Sequence, residues 1–224
     1  MKTLYITILF LSLAYLTIGQ PGTLDTTFGN QGKVISTGFT GQCYAAAIQT
    51  DGKIVCAGFG APDTSNGFLL ARYTTTGSMD ASFGSNGKVI TQLPGSHEEI
   101  DDIKIQSNGK IVAAGWTAYQ NDSGIYRVDV AVARYTVSGS LDNTFGTNGV
   151  ATTSIYGMKI YATCLSIQSD GKIVVAGNRN NDENDDSTAF VFRYTSSGIL
   201  DTAFSNDGTL FETFDHPAQI STDS

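Results

Sequence analysis

From about residue 22 onward, short apolar runs rich in β-branched and aromatic residues alternate with glycine-bearing polar turns. The runs have strand length, and no stretch shows the 3.6-residue period of a helix. The clearest unit is Gln49-Thr50-Asp51-Gly52-Lys53-Ile54-Val55-Cys56-Ala57-Gly58, which returns with small changes at 106–115 and 168–177. Asp-Gly or Asn-Gly between apolar runs predicts a β-hairpin, with a tight primed turn made possible by Gly52, Gly109 and Gly171. Three copies of one hairpin predict a repeat protein.

Two further motifs keep step with the hairpin. Leu24-Asp25-x-x-Phe28-Gly29-x-x-Gly32 precedes it, recurring from Met79-Asp80, Leu141-Asp142 and Leu200-Asp201, the last with Ser205 in place of the first Gly. An Arg-Tyr run follows it, centred on Arg72, Arg134 and Arg193. Each repeat is therefore expected to hold four strands: strand a after the Leu-Asp motif (33–37, 88–92, 150–154), the hairpin strands b and c, and the Arg-Tyr strand d. The boundaries expected are 22–76, 77–138 and 139–197, with a partial fourth repeat at 198–224. Strands b and c are apolar on both alternating faces, which suits a sheet sandwiched between sheets, as in stacked propeller blades.

The spacing divides the repeat into fixed and variable parts. Hairpin Gln to hairpin Gly is always 9 residues, and strand-d Arg to the next Asp is always 8, whereas the a–b and c–d segments change length between repeats. In an up-and-down blade those variable segments share one edge, so one face of the molecule is constant and the other is where binding is expected. Asp25, Asp80, Asp142 and Asp201, with Arg72, Arg134 and Arg193, read as repeated structural pairs, because a catalytic role would need them to converge on one site.

Charge and the N-terminus narrow the setting. Lys2 followed by an apolar run to about Leu16 and small residues to Gly19 reads as a secretory signal peptide over 1–19, giving an exported protein at an extracellular, periplasmic or cell-surface location. No later run is long and apolar enough to span a membrane. The net charge is -8, and loss of the leader's Lys makes the chain more acidic still, which argues against nucleic acid as a partner. The three Cys are expected as buried small hydrophobes. Counting outward from the Asp51-Gly52 turn sets Cys56 opposite Ala47 and leaves Cys43 out of reach, so no bridge is expected.

Candidate chemistry lies toward the variable edge. Phe59, Trp116, Tyr119 and Tyr126 fall in c–d segments, Tyr156 and Tyr161 in an a–b segment, and His97 opens the acidic run His97-Glu98-Glu99-Ile100-Asp101-Asp102, placed in the second a–b loop. Rings beside carboxylates and amides suit sugars, which stack on rings and hydrogen-bond through hydroxyls, although packing between blades uses the same residues. Asp182, Asn184 and Asp186 offer oxygen at alternate positions for calcium, yet the run lacks the glycine of a calcium loop and reads first as solvated. No cofactor is otherwise expected. The second His of a zincin helix and a nucleophile-elbow serine motif are both missing.

The combined pattern Leu-Asp-x-x-Phe-Gly-x-x-Gly, Ile-Gln-x-Asp-Gly-Lys-Ile-Val-x-Ala-Gly and Ala-Arg-Tyr-x-x-x-Gly resembles the bacterial delta-60 repeat, a β-propeller repeat of unknown function, from Gly22 to about Phe211. The resemblance implies an all-β propeller of an exported bacterial protein, often with a C-terminal sorting or adhesion module, and implies no catalytic residues. Three repeats and a fraction form an incomplete ring, which closes with more chain or with a second copy, or self-associates through open blade edges. The function expected is a non-enzymatic scaffold presenting a variable face to a protein or carbohydrate ligand. The alternatives are a glycoside-active enzyme or its accessory propeller, and a spacer for a further module.

Overall fold

In the computed structural model, residues 22–36, 40–61, 66–120, 126–180 and 188–213 are described, and they are all-β with no helix. No helix among them is therefore long and apolar enough to cross a membrane. Twelve strands make three antiparallel blades of four. The first holds β1 (Thr40–Ile48), β2 (Ile54–Ala61), β3 (Gly67–Tyr73) and β4 (Lys88–Thr91). The second holds β5 (His97–Ile105), β6 (Ile111–Gln120), β7 (Tyr126–Tyr135) and β8 (Val150–Thr153), and the third holds β9 (Lys159–Ile167), β10 (Ile173–Asn180), β11 (Thr188–Tyr194) and β12 (Thr209–Thr213). A single parallel pairing, Val128 with Lys159, links the second and third blades, and the sheets do not close into a ring.

The blades run one strand out of step with the sequence repeats. Each takes strands b, c and d from one repeat and its outermost strand a from the next, so the partial fourth repeat supplies β12 and completes the third blade. Strand a of the first repeat, expected at 33–37, joins no blade over its described residues 33–36. Within 33–36, only Lys33 makes β-bridges, to Gly29 and Asn30 of its own motif. A strand d to pair with it does not precede it among the described residues, and Leu24, Val34 and Ile35 stay exposed there.

The hairpin turn differs from the primed turn expected. Only the glycine takes positive φ, at 81°, 80° and 84° for Gly52, Gly109 and Gly171. Gly52 N–H donates to Gln49 O at 2.9 Å and Gln49 N–H to Lys53 O at 2.8 Å, the longer loop with a left-handed glycine. The residue before glycine is Asp or Asn because its side chain accepts the backbone N–H of Lys53, Lys110 or Lys172 at 3.1 Å in each copy.

Two apolar clusters fill the two blade junctions. One gathers Val55, Ala57, Phe68, Leu70, Phe83, Ile100, Ile103 and Tyr135 between the first and second blades. The other gathers Val112, Val130, Phe145, Ile160, Val175 and Phe192 between the second and third. Burial of these aliphatic and aromatic side chains, each worth roughly 1.5–3 kcal/mol, is what stacks the blades. The middle blade is packed between the two clusters, whereas Ile48 on the first blade is exposed.

A polar clasp repeats at each blade. Arg72, Arg134 and Arg193 donate from Nε to Asp80, Asp142 and Asp201 at 2.8, 2.6 and 2.7 Å. The hairpin lysines 53, 110 and 172 reach the same carboxylates at 3.1, 2.8 and 3.1 Å. Each guanidinium lies over the Phe of the adjoining Leu-Asp motif, 4.5 Å from the ring of Phe83 and 4.8 Å from those of Phe145 and Phe204. Arg72 and Arg134 then cross to the next blade, donating from Nη1 to the turn carbonyls of Val137 and Ser196, both at 2.6 Å. Arg193 has no following turn to reach among the described residues, and its side chain is 20% exposed against 4% and 8% for the other two. At the opposite end Asp25 accepts from Thr27 of its own turn, and no Arg reaches it among the described residues.

Candidate functional site

The site is built by a bulge that recurs in the innermost strand of every blade. β1, β5 and β9 each carry one extra residue, Tyr44, Asp101 and Thr163. The hairpin glycine beside it makes the bulge possible: a Cβ on Gly58, Gly115 or Gly177 would lie 2.0, 1.8 or 1.9 Å from the carbonyl oxygen of Gln42, Glu99 or Tyr161. That glycine therefore does not end strand c. β2, β6 and β10 continue beyond it, so Phe59, Trp116 and Tyr119, expected in loops, stand on strands, as do His97 on β5 and Tyr161 on β9. The acidic run His97 to Asp102, expected in a loop, is the first two thirds of β5.

The consequence is a continuous line of rings across all three blades. Tyr44 and Phe59 have centroids 6.1 Å apart, and Phe59 lies 5.9 Å from His97 across the first junction. His97 stacks on Trp116 at 5.3 Å and 20°, and Trp116 meets Tyr161 edge-on at 5.3 Å across the second junction. Asn66 Nδ2 donates to His97 Nδ1 at 2.9 Å, which fixes the imidazole from the first blade. Phe59, His97, Trp116 and Tyr161 are half-buried and Tyr44 is exposed, so the line is both packed and accessible.

Carboxylates from the same bulge border the rings. Burial, then the charge of Glu99, pushes Asp101 up to about 7, and burial also raises Glu99. Burial and then the charges of Glu99 and Asp101 raise the Tyr44 phenol, which places these carboxylates of the second blade against the first. Glu99 and Asp101 stand out in the sequence only as members of the acidic run, and Tyr44 does not stand out at all, although all three lie in the innermost strands beside the hairpin glycines.

A second polar row lies at the same end of the middle blade, in register across β5, β6 and β7: Glu98, Thr117 and Asp129. Asp129 accepts from Tyr119 Oη, from Ser154 Oγ at 2.7 Å and from Arg127 Nη2 at 2.9 Å, and Arg127 covers the Tyr119 ring at 4.3 Å. Tyr119 thus belongs to this row and not to the line of rings. Glu98 is fully buried with no well-formed hydrogen bond to either carboxylate oxygen among the described residues, and burial, partly offset by the backbone of Gly95, pushes it up to about 7.

The remaining candidates are dispersed. Tyr156 is fully exposed in the turn before β9. The side chain of Tyr126 and the three calcium candidates Asp182, Asn184 and Asp186 lie outside the described residues. Among the described residues, no group of three or more His, Cys, Asp or Glu side chains is placed to hold a metal ion. The cysteines depart from expectation: Cys43 and Cys164 are exposed and Cys56 half-buried. Cys56 pairs with Ala46 and not with Ala47.

A family model described as a domain of unknown function (DUF5122) β-propeller matches residues 49–83, 106–145 and 168–204. Each match opens at the hairpin Gln and closes at the Phe of the following Leu-Asp motif, the same offset that the blades show. A search of curated proteins gave no match.

Proposed function

This chain belongs to the DUF5122 β-propeller family, and on that premise we propose that it is an exported, non-enzymatic scaffold that binds a glycan along the ring line of its blade ends. The observation that carries the reading is the half-exposed series Phe59, His97, Trp116 and Tyr161 crossing two blade junctions, with Glu99 and Asp101 beside it. Ring faces remove the apolar side of a sugar from water while neighbouring carboxyls accept its hydroxyls. An extended chain of sugars matches a line better than a pocket does.

Isothermal titration with soluble oligosaccharides tests this. Trp116→Ala is expected to weaken binding about tenfold, the loss of roughly 1.4 kcal/mol of stacking, whereas Tyr156→Ala leaves it unchanged. Equal affinities for the native chain and Trp116→Ala would remove the ring line from the site. The raised Asp101 carboxyl favours a second reading, glycoside hydrolysis with Asp101 as proton donor. Released reducing sugar that Asp101→Asn abolishes would establish it, and saturable binding without turnover upholds the first.

A further inference from the structure

We propose that Cys43 and Cys56 are the partners of a cross-strand disulfide that closes the inner hairpin of the first blade. The bulge at Tyr44 is what brings them together. It sets Cys43 opposite Gly58, two residues from Cys56 on the same face of β2. Gly58 has no side chain to separate them, and a Cβ there would lie 3.0 Å from Cys43 Cα, so the two strands approach closely at this point. Both thiols are free, and they lie near enough for each to shift the other's titration. Cys43 Sγ also points to Ala45 O at 3.3 Å. Without the bulge Cys43 would face Phe59, one residue farther from Cys56, so an unbulged count outward from the turn leaves the two apart.

The pair also has the asymmetry that exchange requires. The hydrogen bond from Cys56, with smaller help from the backbone of Ala57 and Ala45, outweighs burial and brings the Cys43 thiol down to about 6, while the same hydrogen bond and burial raise Cys56. Cys43 is exposed and is the attacking thiolate. It attacks one sulfur of a disulfide oxidant, such as a small-molecule or protein disulfide, giving a mixed disulfide and releasing one thiolate. Cys56 then loses its proton and attacks the Cys43 sulfur, forming the Cys43–Cys56 bond and expelling the second thiolate. Two electrons and two protons leave the pair, and the oxidant ends as two thiols.

Cys164, exposed in the third blade with Sγ 3.8 Å from Ala176 O, is the internal control. The protein is incubated with oxidised glutathione at neutral pH, its free thiols are alkylated, and its peptides are mapped by mass spectrometry. The expected result is one peptide pair joined through Cys43 and Cys56, with Cys164 alkylated, and a melting temperature that falls back when dithiothreitol is added. In Cys56→Ser, Cys43 is expected to retain glutathione as a stable mixed disulfide. Three alkylated thiols after oxidation, or glutathione held on Cys43 of the native chain with Cys56 still free, would overturn the proposal.

Discussion

Asp142→Ala is expected to destabilise the protein by about 3–5 kcal/mol, read as a fall in the urea midpoint at neutral pH. Asp142 is buried and receives Arg134 Nε at 2.6 Å, Lys110 Nζ at 2.8 Å and the hydroxyl of Thr144 at 2.7 Å. Removing it strands a guanidinium whose side chain is only 8% exposed, held over Phe145 and tied to the third blade through Ser196. The loss is thus felt at the second junction as well as within one blade. Arg134→Leu added to Asp142→Ala is expected to recover much of the stability, because an apolar side chain in that position leaves no buried charge. Asp201→Ala is expected to cost less, since Arg193 is more exposed and makes no bond to a following blade among the described residues. Equal urea midpoints for Asp142→Ala and the native chain would contradict the clasp.

The sign of the pH dependence at Asp142 follows from its surroundings. Burial alone would raise its carboxyl, but hydrogen bonds from Lys110, Thr144 and Arg134 outweigh that and hold it well below the ordinary range. Its contribution is therefore complete above the unfolded-state value and is lost as pH falls through the folded one.

Glu98→Gln acts in the opposite sense and has the second large effect. The Glu98 carboxyl is raised from 4.5 to about 7 by burial, so folding favours its protonated form. Below pH 4.5 the group is neutral in both states and costs nothing. As pH climbs to 7 the unfolded chain ionises it while the folded chain resists, and stability is lost through that window. At pH 8 the cost approaches on the order of 3 kcal/mol. Glu98→Gln, which imitates the neutral acid, is expected to melt with the native chain at pH 4 and well above it at pH 8. Parallel melting profiles for the two proteins over that range would show that Glu98 carries no such burden.

Much of the fold was legible because its turn chemistry is local. The Asp-Gly and Asn-Gly pairs mark the inner hairpin of every blade, since the left-handed glycine and the side chain capping the following N–H act within five residues. Pairing across repeats left no comparable local mark. Val89 and Ile90 read equally well as the first strand of the second repeat or the last strand of the first blade, and only their partners Leu70 and Leu69 decide it. The hairpin lysine was likewise hidden, because its carboxylate belongs to the next motif along the chain.

The site was obscured by the bulge itself. In β5, Ile100 and Ile103 are both buried in the same core although three residues apart, because Asp101 is extra. The break in the two-residue period made a strand read as an acidic loop. The same irregularity hid the Cys43–Cys56 approach. Phe59 and Trp116 can be named from their positions just after the hairpin glycines, and His97 and Tyr161 from the a–b segments, but their convergence on one line is a property of stacked blades.

Trp116 is the sole tryptophan of the chain, so its fluorescence reports on the middle of the ring line alone. Titrating the native protein with an oligosaccharide that binds by calorimetry, and following tryptophan emission, tests whether the glycan lies on the ring line. A ligand seated on the ring line gives a saturable change in emission whose midpoint matches the calorimetric affinity. Calorimetric binding with unchanged emission would place the ligand elsewhere and contradict the proposed site.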